Sequence, residues 1–357
     1  MNTYLPHFSC GVDAYESIGS VAGVYGTTCA LIYGEKAWNA SREELLPAIE
    51  KSGLKIVEKV CYGHEASFEN VEKLLNNPNV VNADMLFAIG GGKCIDTVKC
   101  AADKLNKPLF TFPTIASTCA AVTKLSVMYE ESGVFKEVVN FKKPPVHSFI
   151  HTGIIAKSPD IYLWAGVGDT LAKYIECTFS ARGDVLTFEQ EFGVNTSRMC
   201  FYPIIETGAK ALEAKKTGEV SAELEKLILN IIVSTGTVSI TVGEDYNSAL
   251  AHAMNYGFSC RPHIEKNHYH GEVVSYGALL QLLMDNQKDD FELAYKFYKE
   301  IKLPTKLADL EIDADDPMED ILAITVVNKE LEHVPYKVTA EMIKKAVGEL
   351  EDYNKSH

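Results

Sequence analysis

No two of the nine cysteines in this 357-residue chain stand in a C-x-x-C pair. An odd, scattered set excludes a disulfide framework and a zinc ribbon, and reads as reduced thiols of a cytoplasmic protein. There is no run of about 18 uncharged apolar residues, so no membrane span is expected. The start, Met1 to His7, has neither a basic segment nor an apolar core of the kind that marks a secretory leader. Positive charge is in deficit: 34 Lys and Arg against 49 Asp and Glu give a net charge of −15. That excludes nucleic acid and an anionic membrane as expected partners. It leaves an anionic small substrate open, because the field inside a site can oppose the global one. Internal repeats and low-complexity tracts are also missing.

What is present is an ordinary globular composition, 46% hydrophobic and 23% charged, in a chain long enough for two domains. The first 150 residues alternate short apolar runs with helical spacing. Strands are expected at Cys29–Tyr33, Leu54–Val60, Met85–Ile89, Pro108–Phe112 and Val146–Ile150. Helices are expected at Ser41–Ser52, at Ser67–Leu75 with a cap at its start, and at Cys94–Leu105. Leu125–Tyr129 and Phe135–Phe141 flank a Gly-containing turn and read as a hairpin. This alternation indicates a mostly parallel sheet covered on both faces. After Pro159 helical periodicity dominates, through Tyr162–Ala181, Phe188–Ala214 with a break at Pro203, Ser221–Val242, Ser248–Phe258, Gly271–Leu283, Phe291–Glu300 and Thr339–Tyr353. The β-rich runs Ile231–Val233 and Val238–Val242 lack flanking turn pairs and are read as buried helix. The expected organisation is an α/β domain over 1–157 and an all-α domain over 158–357.

Two groups of residues carry chemistry. Gly90-Gly91-Gly92-Lys93 follows a strand and precedes a helix. Glycines there let the backbone approach a pyrophosphate, and free N–H groups at the helix start face the anion; the same residues are also compatible with a plain tight turn. Asp96 is either a first-turn acid favoured by the helix dipole or a hold on a cofactor hydroxyl. The small, hydroxyl-rich loop Thr114 to Ala120 follows the next strand, where α/β sheets bind ligands. The second group is Asp169, His252 and the pair His268 and His270. Carboxylate and imidazole together suit a divalent metal with a position left open for substrate. Singly, Asp169 also reads as a helix cap, His252 as a core histidine, and His268 and His270 as exposed turn residues.

In order along the chain, Gly90-Gly91-Gly92-Lys93-x-x-Asp96, Pro113-Thr114-Ile115-Ala116-Ser117-Thr118, Leu125-Ser126-Val127, Gly166-Val167-Gly168-Asp169-x-Leu171-Ala172-Lys173, Ala251-His252-Ala253 and His270-Gly271-Glu272 resemble the iron-type (group III) alcohol dehydrogenases, in their glycerol dehydrogenase-like branch. The resemblance spans nearly the whole chain. It implies a Rossmann-like nucleotide domain, a helical metal domain of the dehydroquinate synthase-like type, an active site in the cleft between them, and a homo-oligomer. It implies metal ligation by Asp169, His252 and His270, with zinc first and iron or manganese as alternatives, and a place for His268 in proton relay. Cofactor contacts carry over onto Gly90, Gly91, Gly92, Lys93, Asp96, Thr114, Ser117, Leu125 and Tyr129, and Thr123 stands where relatives have a contacting serine.

Two departures bear on specificity. Glycerol dehydrogenases have an aspartate after the Ser-Thr pair, and this chain has Cys119. A thiol is a poorer acceptor for a polyol hydroxyl, and losing the charge removes a repulsion against a carboxylate. That favours a 2-oxo or 2-hydroxy acid over glycerol, as in the hydroxycarboxylate dehydrogenases. The first clear strand runs into Gly34-Glu35-Lys36 in place of the acid that holds the adenosine ribose in NAD-users. Gly34 leaves room for a 2′-phosphate and Lys36 could pair with it, which places NADP slightly ahead of NAD; Glu35 could instead take the acid's role, one residue late. A lyase like dehydroquinate synthase ranks below these, since its metal site takes a glutamate where Asp169 stands.

Overall fold

The computed structural model describes residues 3–357. Eight strands are present among them: β1 (Phe8–Gly11), β2 (Thr28–Tyr33), β3 (Lys55–Cys61), β4 (Met85–Gly90), β5 (Leu109–Pro113), β6 (Leu125–Tyr129), β7 (Phe135–Asn140) and β8 (His147–His151). Six form one sheet in the order β1-β8-β5-β4-β2-β3, every pairing parallel, and β6 and β7 form a separate antiparallel hairpin. The main helices of this part are α1 (Glu35–Ser52), α2 (Phe68–Leu75) and α3 (Gly92–Leu105).

The central strands β4, β5 and β8 are buried along their whole length, which a sheet covered on both faces requires. Its core joins Leu31, Phe87, Ile89, Phe110, Phe112 and Phe149 to Leu45 and Ile49 of α1. The rings of Phe112 and Phe149 stack at 5.0 Å. Each such side chain contributes roughly 1.5–3 kcal/mol on burial.

Helix starts lie earlier than periodicity alone suggests. α1 begins at Glu35, capped by Gly34, with the Trp38 N–H donating to the Gly34 carbonyl. α3 begins at Gly92, so Gly92 and Lys93 are its first two residues. Glycine's low helix propensity hides the start of α3 in the sequence. Ser67 caps α2 by accepting from the Asn70 N–H.

The other helices of eight or more residues are α4 (Asp160–Ser180), α5 (Phe188–Thr196), α6 (Tyr202–Lys215), α7 (Ala222–Leu229), α8 (Thr235–Val242), α9 (Leu250–Phe258), α10 (His270–Met284), α11 (Lys288–Ile301) and α12 (Ala340–Ser356). The helix expected over 188–214 is broken by a 3-10 turn at Ser197–Cys200, and Pro203 is the second residue of α6. There its missing N–H costs nothing. α7 runs into α8 through a π-helical turn at Asn230–Ser234, so the β-rich runs at 231–242 are helical. Ala222–Val242 is long and apolar enough to cross a membrane, but 61% of its apolar window is buried inside the protein, as in a core helix.

The chain forms two compact units. One comprises the chain up to Tyr162 with Ala214–Ile240; the other comprises Leu163–Glu213 and Thr241–His357. Residues 214–240 therefore pack with the α/β unit and not with the helical block 158–357 assigned from periodicity. Lys215 shows why. Its buried ammonium donates to the carbonyls of Ala156 and Ser158 and pairs with Asp160 at 3.2 Å. Gly236 packs against Val122 so closely that a Cβ there would lie 2.2 Å from the valine methyl.

Candidate metal centre and nucleotide cradle

In the α/β unit the strand order reverses between β2 and β4. From β2 the chain moves outward to β3; from β4 it moves the other way, to β5. Ligands of open α/β sheets bind beyond the strand C-termini at such a switch point. Here those termini are Gly34 and Gly90, and the Gly34 N–H donates to the Ile89 carbonyl at 3.2 Å. The Thr114 N–H donates to the Gly90 carbonyl, which brings in the third strand end. A Cβ on Gly92 would lie 3.5 Å from Thr118 Oγ1, so the 114–120 loop borders the cradle. Gly91 has a packing reason for its identity as well: a Cβ would meet Ile115 at 2.8 Å.

Lys93 is half exposed, pairs with Glu65 at 2.6 Å and lies 5.2 Å from the centre of the Tyr129 ring. Lys36 is exposed on the first turn of α1, and Ser117 and Cys119 are half-buried. Asp96 and Thr123 are placed differently from open cofactor contacts. Both are buried, and Lys99 engages them, at 2.8 Å from Asp96 Oδ1 and 3.2 Å from Thr123 Oγ1. Lys99 also donates to the Leu125 carbonyl, and the Val127 N–H donates to Asp96 Oδ2. These residues fasten α3 to the hairpin. Asp96 is the fifth residue of α3, past the turn where a helix dipole would favour it.

In the helical unit Asp169, His252 and His270 converge. Asp169 Oδ1 lies 3.5 Å from His252 Nε2 and 3.7 Å from His270 Nε2, and the three donor atoms fall within 4.8 Å of one another. Asp169 is no helix cap, because it sits in the middle of α4. Its neighbour explains the approach. A Cβ on Gly168 would lie 2.3 Å from the Gly271 carbonyl oxygen, and one on Gly271 would lie 2.0 Å from the Ala165 carbonyl oxygen. The two glycines let α4 and α10 touch backbone to backbone, which sets Asp169 against the first residue of α10. Gly277 does the same for α10 and α9, meeting the backbone of Ala251 beside His252.

Burial disfavours charge on Asp169, yet its contact with His252 and the fields of His270 and Lys173 hold it down at about 2. Burial likewise opposes charge on His252, but Glu176 and Asp169 outweigh it and push the imidazole up to about 10. The centre thus attracts positive charge. One carboxylate and two imidazoles in that field suit a divalent metal with open positions.

Sequence reasoning gave no role to Glu176. It is fully buried, 2.5 Å from His252 Nδ1. Its only signal was a spacing of seven from Asp169, two turns along one face of α4. Lys173, one turn from Asp169, is also buried and donates to Asn247 Oδ1 at 2.9 Å. His268 stands outside the ligand triad: Nδ1 lies 3.0 Å from Glu272, and Nε2 is buried with no hydrogen-bond partner. Glu272 also accepts from the Tyr269 N–H, fixing the first turn of α10 from which His270 projects.

Comparison with known proteins agrees with this assembly. The family described as iron-containing alcohol dehydrogenase matches residues 6–151. A glycerol dehydrogenase of Citrobacter freundii is 34% identical over 348 residues, covering 94% of this chain and 93% of its own. Hydroxycarboxylate dehydrogenase A of Escherichia coli (strain K12) is 29% identical over 326 residues, 90% of this chain and 89% of its own. The crystal structure of glycerol dehydrogenase from Schizosaccharomyces pombe superposes with a TM-score of 0.87 over 100% of this chain and 91% of that one, at 23% identity. The chain belongs to the iron-containing alcohol dehydrogenase family, in its glycerol dehydrogenase-like branch, and is an oxidoreductase.

Proposed function

We propose that this protein is a metal-dependent, NAD(P)-linked dehydrogenase that interconverts small 2-hydroxy acids and 2-oxo acids. The convergence of Asp169, His252 and His270 carries the reading. A divalent metal held by these three, zinc first and iron or manganese as alternatives, supplies a Lewis acid for the alcohol or carbonyl oxygen. The chain's own part is to hold and orient. The amides at the start of α3 and the open backbone of Gly90 to Gly92 receive the cofactor pyrophosphate. Lys93 offers a cation beside them, and Thr114, Ser117, Leu125 and Tyr129 border the same region. Gly34 and Lys36 favour NADP, since a bare backbone and an exposed ammonium at the end of β2 accommodate a 2′-phosphate. His268 offers a proton-accepting nitrogen near the start of α10. Cys119 supports the acid substrate, because a thiol does not repel a carboxylate.

A second reading has its own support: the 34% identical relative is named a glycerol dehydrogenase. Absorbance at the nicotinamide band separates the two, crossing NADH and NADPH with 2-oxo acids, and NAD and NADP with glycerol, with and without added metal. The acid reading expects NADPH oxidation with 2-oxobutanoate or 2-oxoglutarate. Polyol-dependent NAD reduction without turnover of 2-oxo acids overturns it in favour of glycerol, and no net nicotinamide turnover overturns both.

A further inference from the structure

Glu176 lies two helical turns beyond Asp169 on α4 and has no exposed surface. Its two oxygens have different duties. Oε1 accepts the backbone N–H groups of Ala249 at 2.8 Å and His252 at 2.9 Å. Oε2 lies 2.5 Å from His252 Nδ1. A backbone N–H can only donate, so Oε1 must be an acceptor. Beside a carboxylate oxygen at this distance, Nδ1 carries the proton. His252 Nε2, 3.5 Å from Asp169, is then the nitrogen left to offer a lone pair.

We infer that Glu176 is the positioning residue that sets the His252 tautomer for metal ligation, through the Oε2 to Nδ1 contact. This rests on the reading of Asp169, His252 and His270 as a metal centre. Histidines that ligate metals commonly donate their other ring N–H to such a partner, which fixes ring orientation and raises ligand basicity. Glu176 adds a second constraint, because Oε1 pins the backbone of His252 itself while Oε2 pins its ring.

This division of labour makes the isosteric amide diagnostic. In Glu176→Gln the two backbone donors still require an acceptor, so the amide oxygen takes the Oε1 position and the NH2 group faces Nδ1. An NH2 group cannot accept a hydrogen bond. Nδ1 must then give up its proton and accept, which moves the proton to Nε2, the nitrogen the metal needs. A change that keeps shape, volume and both backbone contacts is therefore expected to weaken metal binding.

The test uses the full chain, stripped of metal and titrated with zinc against a competing chelating indicator. Wild type should bind one zinc. Glu176→Gln should bind about 10- to 100-fold more weakly, with the melting temperature of its metal-free form close to wild type. A Glu176→Gln affinity within about twofold of wild type overturns the inference and leaves the metal reading standing. Failure of wild type to bind zinc, iron or manganese overturns the metal reading and the inference with it. If Glu176→Gln does not fold, 15N-histidine NMR of the zinc-loaded wild type decides. A proton on His252 Nδ1, assigned by its loss in His252→Asn, supports the inference, and a bare Nδ1 overturns it.

Discussion

Asp169 faces both His252 and His270, and substitutions of Asp169 and His270 should separate chemistry from folding. Asp169→Asn keeps the volume and removes the charge that offsets a cation; His270→Ala removes a half-exposed ring. Either is expected to lower turnover at least about a thousandfold, equivalent to ~4 kcal/mol of barrier, while circular dichroism and the melt of the metal-free form stay near wild type. Wild-type turnover in a metal-depleted sample would sink the mechanism. Lys93 predicts a milder effect, because it is half exposed and already paired with Glu65. Lys93→Ala should raise the cofactor KM by about three- to tenfold with little change in kcat, measured by initial rates at saturating substrate. At this scale the sequence exposed the three candidate ligands, since short motifs surround each. Glu176 and Lys99 escaped notice because a buried charge looks like an exposed one until its partners are known. His252 stands 76 residues from Glu176, and Thr123 and Leu125 stand 24 and 26 residues from Lys99.

Between helices, glycine decides how near two functional side chains can come. Gly271→Ala would put a methyl 2.0 Å from the Ala165 carbonyl oxygen, against rigid backbone. Separating α4 from α10 should destabilise the protein by about 1–3 kcal/mol or more and weaken zinc binding, read by urea unfolding and metal titration. Gly348 is the control. It lies within α12 with nothing within 4 Å of an added Cβ. Gly348→Ala should stabilise by about 0.5–1 kcal/mol through helix propensity. In the α/β unit, Lys99→Met leaves the buried Asp96 carboxyl without its cation and should cost about 3–5 kcal/mol, seen as a lower urea midpoint. Element types were largely legible, because apolar runs and 3.6-residue periodicity persist over many residues. β1 was not. Its four residues, Phe8–Gly11, show no alternation and are held as an edge strand by pairing with β8, 140 positions further on. The return of residues 214–240 to the α/β unit was hidden for the same reason: periodicity identifies a helix, but not the neighbour it packs on.

Over the whole molecule, proton uptake links the folded state to pH, and two histidines pull in opposite directions. His147 on β8 is buried, 2.9 Å from Ser9 on β1 and 4.7 Å between ring centres from Phe149. Burial, with a smaller contribution from His7, pushes it down from 6.5 to about 4. Between those values the unfolded chain binds the proton and the folded chain does not. Stability therefore rises with pH in that window, and the contribution is lost as pH falls from 6.5 towards 4. His151 is also lowered by burial and acts with the same sign. His252 in the metal-free protein acts oppositely: raised to about 10, it contributes stability that is full below 6.5 and lost as pH climbs towards 10. A bare pH profile of wild type mixes these terms, together with the many carboxylates behind the net charge of −15. The difference between wild type and His147→Gln removes the shared ones, since the two sites have no partner in common. Urea midpoints at pH 7.5, 6 and 5 should show wild type losing stability relative to His147→Gln as the pH drops. Parallel profiles would mean that His147 takes up its proton in the folded sheet, and that burial beside Phe149 does not keep it neutral.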